Sequence, residues 1–102
     1  MDRIGIKNLA VVQMKLIKAT DGVHKYVAVF KNGKTTSFGA AGYDDYTMTG
    51  DKERRTAYRT RHKKDLDTKD PYRAGFLSYY ILWGPSTSVI TNLRAYNKRF
   101  DI

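Results

Sequence analysis

Between positions 54 and 62 the chain carries Arg54, Arg55, Tyr58, Arg59, Arg61 and His62, which bring four guanidinium groups, a phenol and an imidazole within a few helical turns. Guanidinium forks grip phosphate or carboxylate oxygens two at a time, and an aromatic ring between them can stack a base or a sugar. At about 100° per residue, Arg54, Arg55, Tyr58, Arg61 and His62 share one helix face, with Lys52, Arg59 and Lys63 to one side. Extended by Lys63 and Lys64, this is the expected partner-binding or nucleic-acid-binding surface. The competing expectation is structural: Tyr58 and His62 turn toward the domain, and the arginines pair with Asp44, Asp45, Asp65 or Asp67.

Other chemistries find less support. Asp44 and Asp45 supply hard oxygen donors, but no third carboxylate stands at ligand spacing and His24 and His62 are far apart, so neither a metal nor a cofactor is expected. Gly39 and Gly42 lack the Gly-Lys-Ser/Thr ending of a phosphate cradle. The chain has no cysteine, and its serines lack the context of an activated nucleophile. No catalytic residue is expected, and the chain reads as a non-enzyme.

Charge narrows the partner. Nineteen Lys and Arg against ten Asp and Glu give +9, with +3 up to Gly50 (seven basic, four acidic) and +6 beyond it (twelve basic, six acidic). Such a field suits nucleic acid, acidic proteins or an anionic surface. No apolar run approaches the roughly 20 residues of a membrane helix, and Met1-Asp2-Arg3-Ile4-Gly5 has no signal-peptide core, so a soluble protein without a span is expected.

The positioning elements follow from patterning. At 102 residues a single domain is expected, of α+β class: a three-stranded antiparallel meander packed against two or three short helices. Residues 1–24 form an N-terminal strand and extension, the strand at about 11–19. Asp21-Gly22 turns into a hairpin over 25–38, closed at Asn32-Gly33 by a type I′ turn. A Gly/Tyr loop follows over 39–50, a structural junction in which Gly39 and Gly42 free the backbone, Tyr43 and Tyr46 dock it on the sheet, and Asp44 and Asp45 order the arginines. Asp51 caps a basic surface helix over 51–66. An apolar helix spans 75–83, and Ser86 caps a terminal helix over 87–100 whose stripe is Val89, Leu93, Tyr96 and Phe100. The predicted core is Val27, Val29, Phe38, Phe76, Leu77, Ile81, Leu82, Trp83, Leu93 and Tyr96.

The succession Phe30-Lys31-Asn32-Gly33-Lys34, Phe38-Gly39-Ala40-Ala41-Gly42-Tyr43-Asp44-Asp45-Tyr46, Arg54, Tyr58, Arg61-His62, Gly75-Phe76-Leu77-Ser78, Ile81-Leu82-Trp83-Gly84, Tyr96 and Arg99-Phe100 resembles short basic proteins encoded by nucleocytoplasmic large DNA viruses, among them chlorella-virus, marseillevirus and mimivirus relatives. The resemblance covers about residues 25–102. That family carries no assigned activity, so the resemblance implies a viral origin and a place in the particle. The function expected from residues and resemblance together is a non-enzymatic, capsid-associated minor virion component, made in the host cytoplasm or viral factory, that bridges other virion or capsid proteins. The alternative is a DNA- or RNA-binding protein for genome condensation or packaging.

Overall fold

The computed structural model describes residues 13–101. Strands β1 (Lys15–Lys18), β2 (His24–Val29) and β3 (Thr35–Ala40) form one antiparallel sheet in chain order, the expected α+β meander. The register pairs Leu16 with Ala28, and Tyr26 with Phe38. Of the extension expected over 1–24, residues 1–12 lie outside the described part, including the first two of the strand at 11–19.

Two turns set the meander. At the first, Asp21 Oδ1 accepts the Val23 and His24 N–H groups at 2.9 and 2.8 Å, a side chain doing the work of a backbone turn. The second is not type I′. Gly33 has a positive φ and Asn32 does not: the Phe30 carbonyl accepts the Gly33 N–H, and Phe30 N–H donates to the Lys34 carbonyl at 2.8 Å. This is a three-residue loop ending in a left-handed glycine. Asn32 does not take the left-handed form, and its side chain accepts from Lys34 N–H and donates to the Tyr72 hydroxyl.

Alternation along β2 resolves which face is core. Ala28, the following Phe30 and Phe38 are buried and Tyr26 packs against them, whereas Val27 and Val29 lie on the opposite face and are only partly covered. The expectation that Val27 and Val29 are core is therefore corrected. Both faces of Tyr26-Val27-Ala28-Val29-Phe30 are apolar, so composition cannot choose between them. The choice falls to large rings on either side of a small Ala28, where the helical layer can approach closely.

The helices supply the other layer. A short α1 (Tyr46–Thr49) precedes α2 (Lys52–His62), whose N-cap Asp51 accepts from Glu53 and Arg54 N–H. The α-helix ends at His62 and tightens into a 3₁₀ segment, Lys63–Thr68, correcting the expected single helix over 51–66. At this tighter period Asp65 comes within 3.0 Å of His62 Nδ1. The apolar helix begins as α3 (Ala74–Leu77) and widens into a π-helical turn, Ser78–Leu82, closed by Trp83 N–H on the Ser78 carbonyl at 3.0 Å. Finally α4 (Val89–Phe100) is capped by Ser88 rather than Ser86; the Ser86 hydroxyl accepts the Ser88 N–H instead.

Phe76, Leu77, Ile81, Leu82 and Trp83 are buried as expected, and so is Tyr96, while Leu93 only flanks the core. Each such side chain removed from water contributes roughly 1.5–3 kcal/mol. Two further parts of this core carry no hydrophobic signal. Asn92 is buried and satisfied, donating to the Ile81 and Ser86 carbonyls and accepting from Ser86 N–H. Asn97 donates to the Met14 carbonyl at 3.0 Å, tying α4 to the start of the sheet. No helix among the described residues is long and apolar enough to cross a membrane.

Candidate functional site

Helix α2 lies across the molecule with no residue fully buried, as its poor apolar content requires. Its basic residues do not form the single face that spacing suggested. They divide between two flanks and an outer ridge.

On one flank Arg55 and Arg59 turn inward and cap the π-helical turn. Arg55 Nε donates to the carbonyls of Trp83 at 3.1 Å and Gly84 at 2.7 Å, and an Arg59 terminal nitrogen donates to those of Tyr79 at 2.9 Å and Trp83 at 2.8 Å. Carbonyls at a helix end lack partners within the helix and carry its negative pole, so cations suit them. Arg59 also lies 3.9 Å above the Tyr79 ring, and Arg55 lies 5.6 Å from the Tyr46 ring. Burial lowers the Arg59 guanidinium below its ordinary pKa, and the charge of nearby Arg55 acts in the same direction. Two residues expected on a free binding face are thus built into the fold.

Tyr58 is likewise committed. Its ring stacks on Trp83 at 4.3 Å and 7°, and on His62 at 4.1 Å and 24°. Two rings so close and so nearly parallel to a third must lie on its opposite faces. Both faces of Tyr58 are therefore closed, which corrects the expectation that it stacks a base. Burial pushes its hydroxyl above the ordinary phenol value.

The other flank of α2 borders a cleft of about 340 Å³, lined among others by Gly39, Tyr43, Asp44, Arg54, Arg61 and Trp83. The junction behaves differently from expectation here. Gly39 is the fifth residue of β3, not the start of a loop. Its φ is +79°, and a Cβ there would lie 2.9 Å from Leu82 Cδ1, so the position calls for glycine. Gly42 also has a positive φ but faces open space. Tyr46 is buried and anchors the segment, whereas Tyr43 is 72% exposed and anchors nothing. Asp44 reaches an arginine, Arg54, at 3.8 Å between half-exposed side chains. Asp45 does not: it is buried against Lys25, with Nζ to Oδ2 at 2.5 Å, and caps α1 by accepting the Thr47 N–H at 2.8 Å. His62 is outside the cleft lining, held by Tyr58 and Asp65.

The outer ridge holds Arg61, which also borders the cleft, and Lys64, while Lys52 and Lys63 lie toward the Arg55–Arg59 side; all four are exposed, with no ion pair among the described residues. Across the Arg55–Arg59 flank lies a second groove of about 330 Å³, walled by Tyr80, Pro85, Ala95, Tyr96 and Arg99. Sequence reasoning missed Tyr80 and Arg99 as surface-forming residues. The four-residue spacing of Ala95 and Arg99 on α4 was the available signal, but it takes the packing of α4 on α3 to bring them opposite α2. Among the described residues no group of three or more His, Asp or Glu side chains is placed to hold a metal ion.

No curated protein and no solved structure matches the chain. Residues 14–62, from just before β1 to the last residue of α2, are similar to a family of unknown function (DUF5754), a match that takes in the sheet, the junction and the basic helix but neither α3 nor α4.

Proposed function

We propose that the protein is a non-enzymatic interaction protein that holds acidic surfaces of other proteins against the outer ridge of α2. In the setting the viral resemblance implies, it is a minor capsid-associated component of a large double-stranded DNA virus, bridging other virion proteins. The observation that carries the reading is the contrast along α2 and its 3₁₀ extension: Arg61 and Lys64 are exposed without ion pairs among the described residues, while the ring of Tyr58, one turn before Arg61, is closed on both faces. Helix α2 offers charge without an open ring of its own, which favours an acidic protein surface over the unstacked bases of a single strand.

The test is made on particles. After the genome is released, the protein is expected to stay with the capsid fraction at fixed stoichiometry, and the Arg61→Ala/Lys64→Ala double variant to lose that retention. Departure with the DNA fraction overturns the reading. The second reading, a DNA- or RNA-binding protein for condensation or packaging, rests on the +9 charge and the same cations. It requires an affinity that falls steeply with salt, with a log-log slope of about −0.9 per duplex phosphate engaged.

A further inference from the structure

Arg55 and Arg59 converge on a shared acceptor, the Trp83 carbonyl, yet neither has a carboxylate partner among the described residues. The backbone holds each fork by one nitrogen only: Arg55 by Nε, Arg59 by a single terminal nitrogen. Both terminal nitrogens of Arg55, and Nε and the second terminal nitrogen of Arg59, are left without a partner in the described residues. The forks are held in place before any ligand arrives, so binding costs them little side-chain entropy.

The surroundings add charge without neutralising it. The 330 Å³ groove beside the pair brings in Arg99, itself 5.1 Å from the Tyr80 ring, and its lining contains no Asp or Glu. A shallower hollow sharing the same two arginines adds Thr56, Thr60 and Lys63, again without an acid. Clustered cations on a partly buried floor repel one another unless an anion joins them.

We propose that the Arg55–Arg59 pair is a receptor for a dianionic phosphate monoester, with Arg99 closing the groove side and Tyr80 and Tyr96 walling the organic part of the ligand. Two forks fit a tetrahedral head with three terminal oxygens and a charge near −2 better than a monoanionic carboxylate or a phosphodiester. The groove volume accommodates such a head with an aryl or alkyl substituent. This inference deepens the binding-module reading: it gives the module a second, phosphate-directed site on the flank of α2 away from the cleft.

The experiment titrates the full chain with phenyl phosphate, following the Arg55 and Arg59 Nε–H resonances by ¹⁵N NMR. Dimethyl phosphate serves as the diester arm, inorganic phosphate as the free-ion arm, and a glutamate-rich peptide as the carboxylate arm. Saturable shifts with phenyl phosphate are expected, tightening from pH 5.5 to 7.5 as the second phosphate proton, of pKa about 6, is lost. Arg55→Lys and Arg59→Lys keep the charge but lose the fork, and each is expected to weaken binding at least tenfold. Arg99→Ala, which breaks no backbone bond, is expected to weaken it about threefold and serves if the lysine variants unfold. Equal affinity for dimethyl phosphate or for the glutamate-rich peptide, or wild-type affinity in folded lysine variants and in Arg99→Ala, overturns the inference. Inorganic phosphate binding as tightly as phenyl phosphate removes the role of the tyrosine walls and overturns that part. Arg61→Ala/Lys64→Ala is expected to leave phenyl phosphate binding intact, so loss of this site and loss of the ridge are separately visible.

Discussion

Lys25 Nζ sits 2.5 Å from Asp45 Oδ2, joining the middle strand of the sheet to the N-cap of α1, with the side chains 15% and 3% exposed. Removing the carboxylate strips α1 of its cap and leaves a largely buried ammonium unpaired. Asp45→Ala is expected to cost about 3 kcal/mol, roughly 10–20 °C in melting temperature for a domain of this size. Lys25→Met keeps the apolar stem, and Asp45 retains its bonds to Thr47, so about 1–2 kcal/mol is expected there. Thermal and urea unfolding of the two variants check the order.

The division of α2 into inward and outward cations has a direct consequence for stability. Arg59→Ala leaves the Tyr79 carbonyl without its charged donor and the Trp83 carbonyl with Arg55 alone, and is expected to cost about 2 kcal/mol. Arg61→Ala, on the exposed ridge, is expected to stay within about 0.5 kcal/mol of wild type. Equal losses in urea titrations would contradict the inward placement of Arg59.

Three glycines should rank by what a methyl group would meet. At Gly84 an added Cβ would lie 2.1 Å from the Tyr80 carbonyl and 2.9 Å from Asn92 Cγ, so Gly84→Ala is expected to destabilise by about 4 kcal/mol or prevent folding. Gly39→Ala combines a left-handed backbone with the Leu82 contact, for about 2 kcal/mol. Gly42→Ala meets only the backbone term, about 1 kcal/mol. Soluble yield and melting temperature test the ranking.

Asp21 is held well below the usual carboxylate range, chiefly by its hydrogen bond with the His24 ring and then by the His24 and Val23 N–H groups. A carboxylate whose folded pKa is depressed contributes stability that is complete above its unfolded value, near 3.9, and is lost as pH falls from there toward the folded one. Stability should therefore decline below about pH 4, and in Asp21→Asn that decline should be shallower. Urea midpoints measured from pH 2 to pH 5 decide it.

Much of the fold was legible in local pattern. Turn residues at Asp21-Gly22 and Asn32-Gly33 and the apolar run at Phe76 to Trp83 placed the meander and the core helix, because each depends on near neighbours alone. The binding surface was far less legible. Helical spacing grouped Arg54 with Arg55 and Tyr58, yet the fold sends Arg55 to the Gly84 carbonyl, Tyr58 to Trp83 and Arg54 toward Asp44. Angular position on a helix says which residues share a side, not which side meets a neighbour.

By itself, then, the sequence determined an α+β chain with a sheet of three sequential strands, a positively charged helix and an aromatic core, since charge, periodicity and turn chemistry are properties of short segments. Tertiary structure alone decided that Tyr26, Ala28 and Phe30 rather than Val27 and Val29 face inward, that Asp45 answers Lys25, and that Arg55 and Arg59 close the π-helical turn. Those outcomes join positions about 20 to 30 residues apart or turn on which of two apolar faces a helix covers, and the physical reason is the same throughout: buried polar groups must find partners wherever packing brings them.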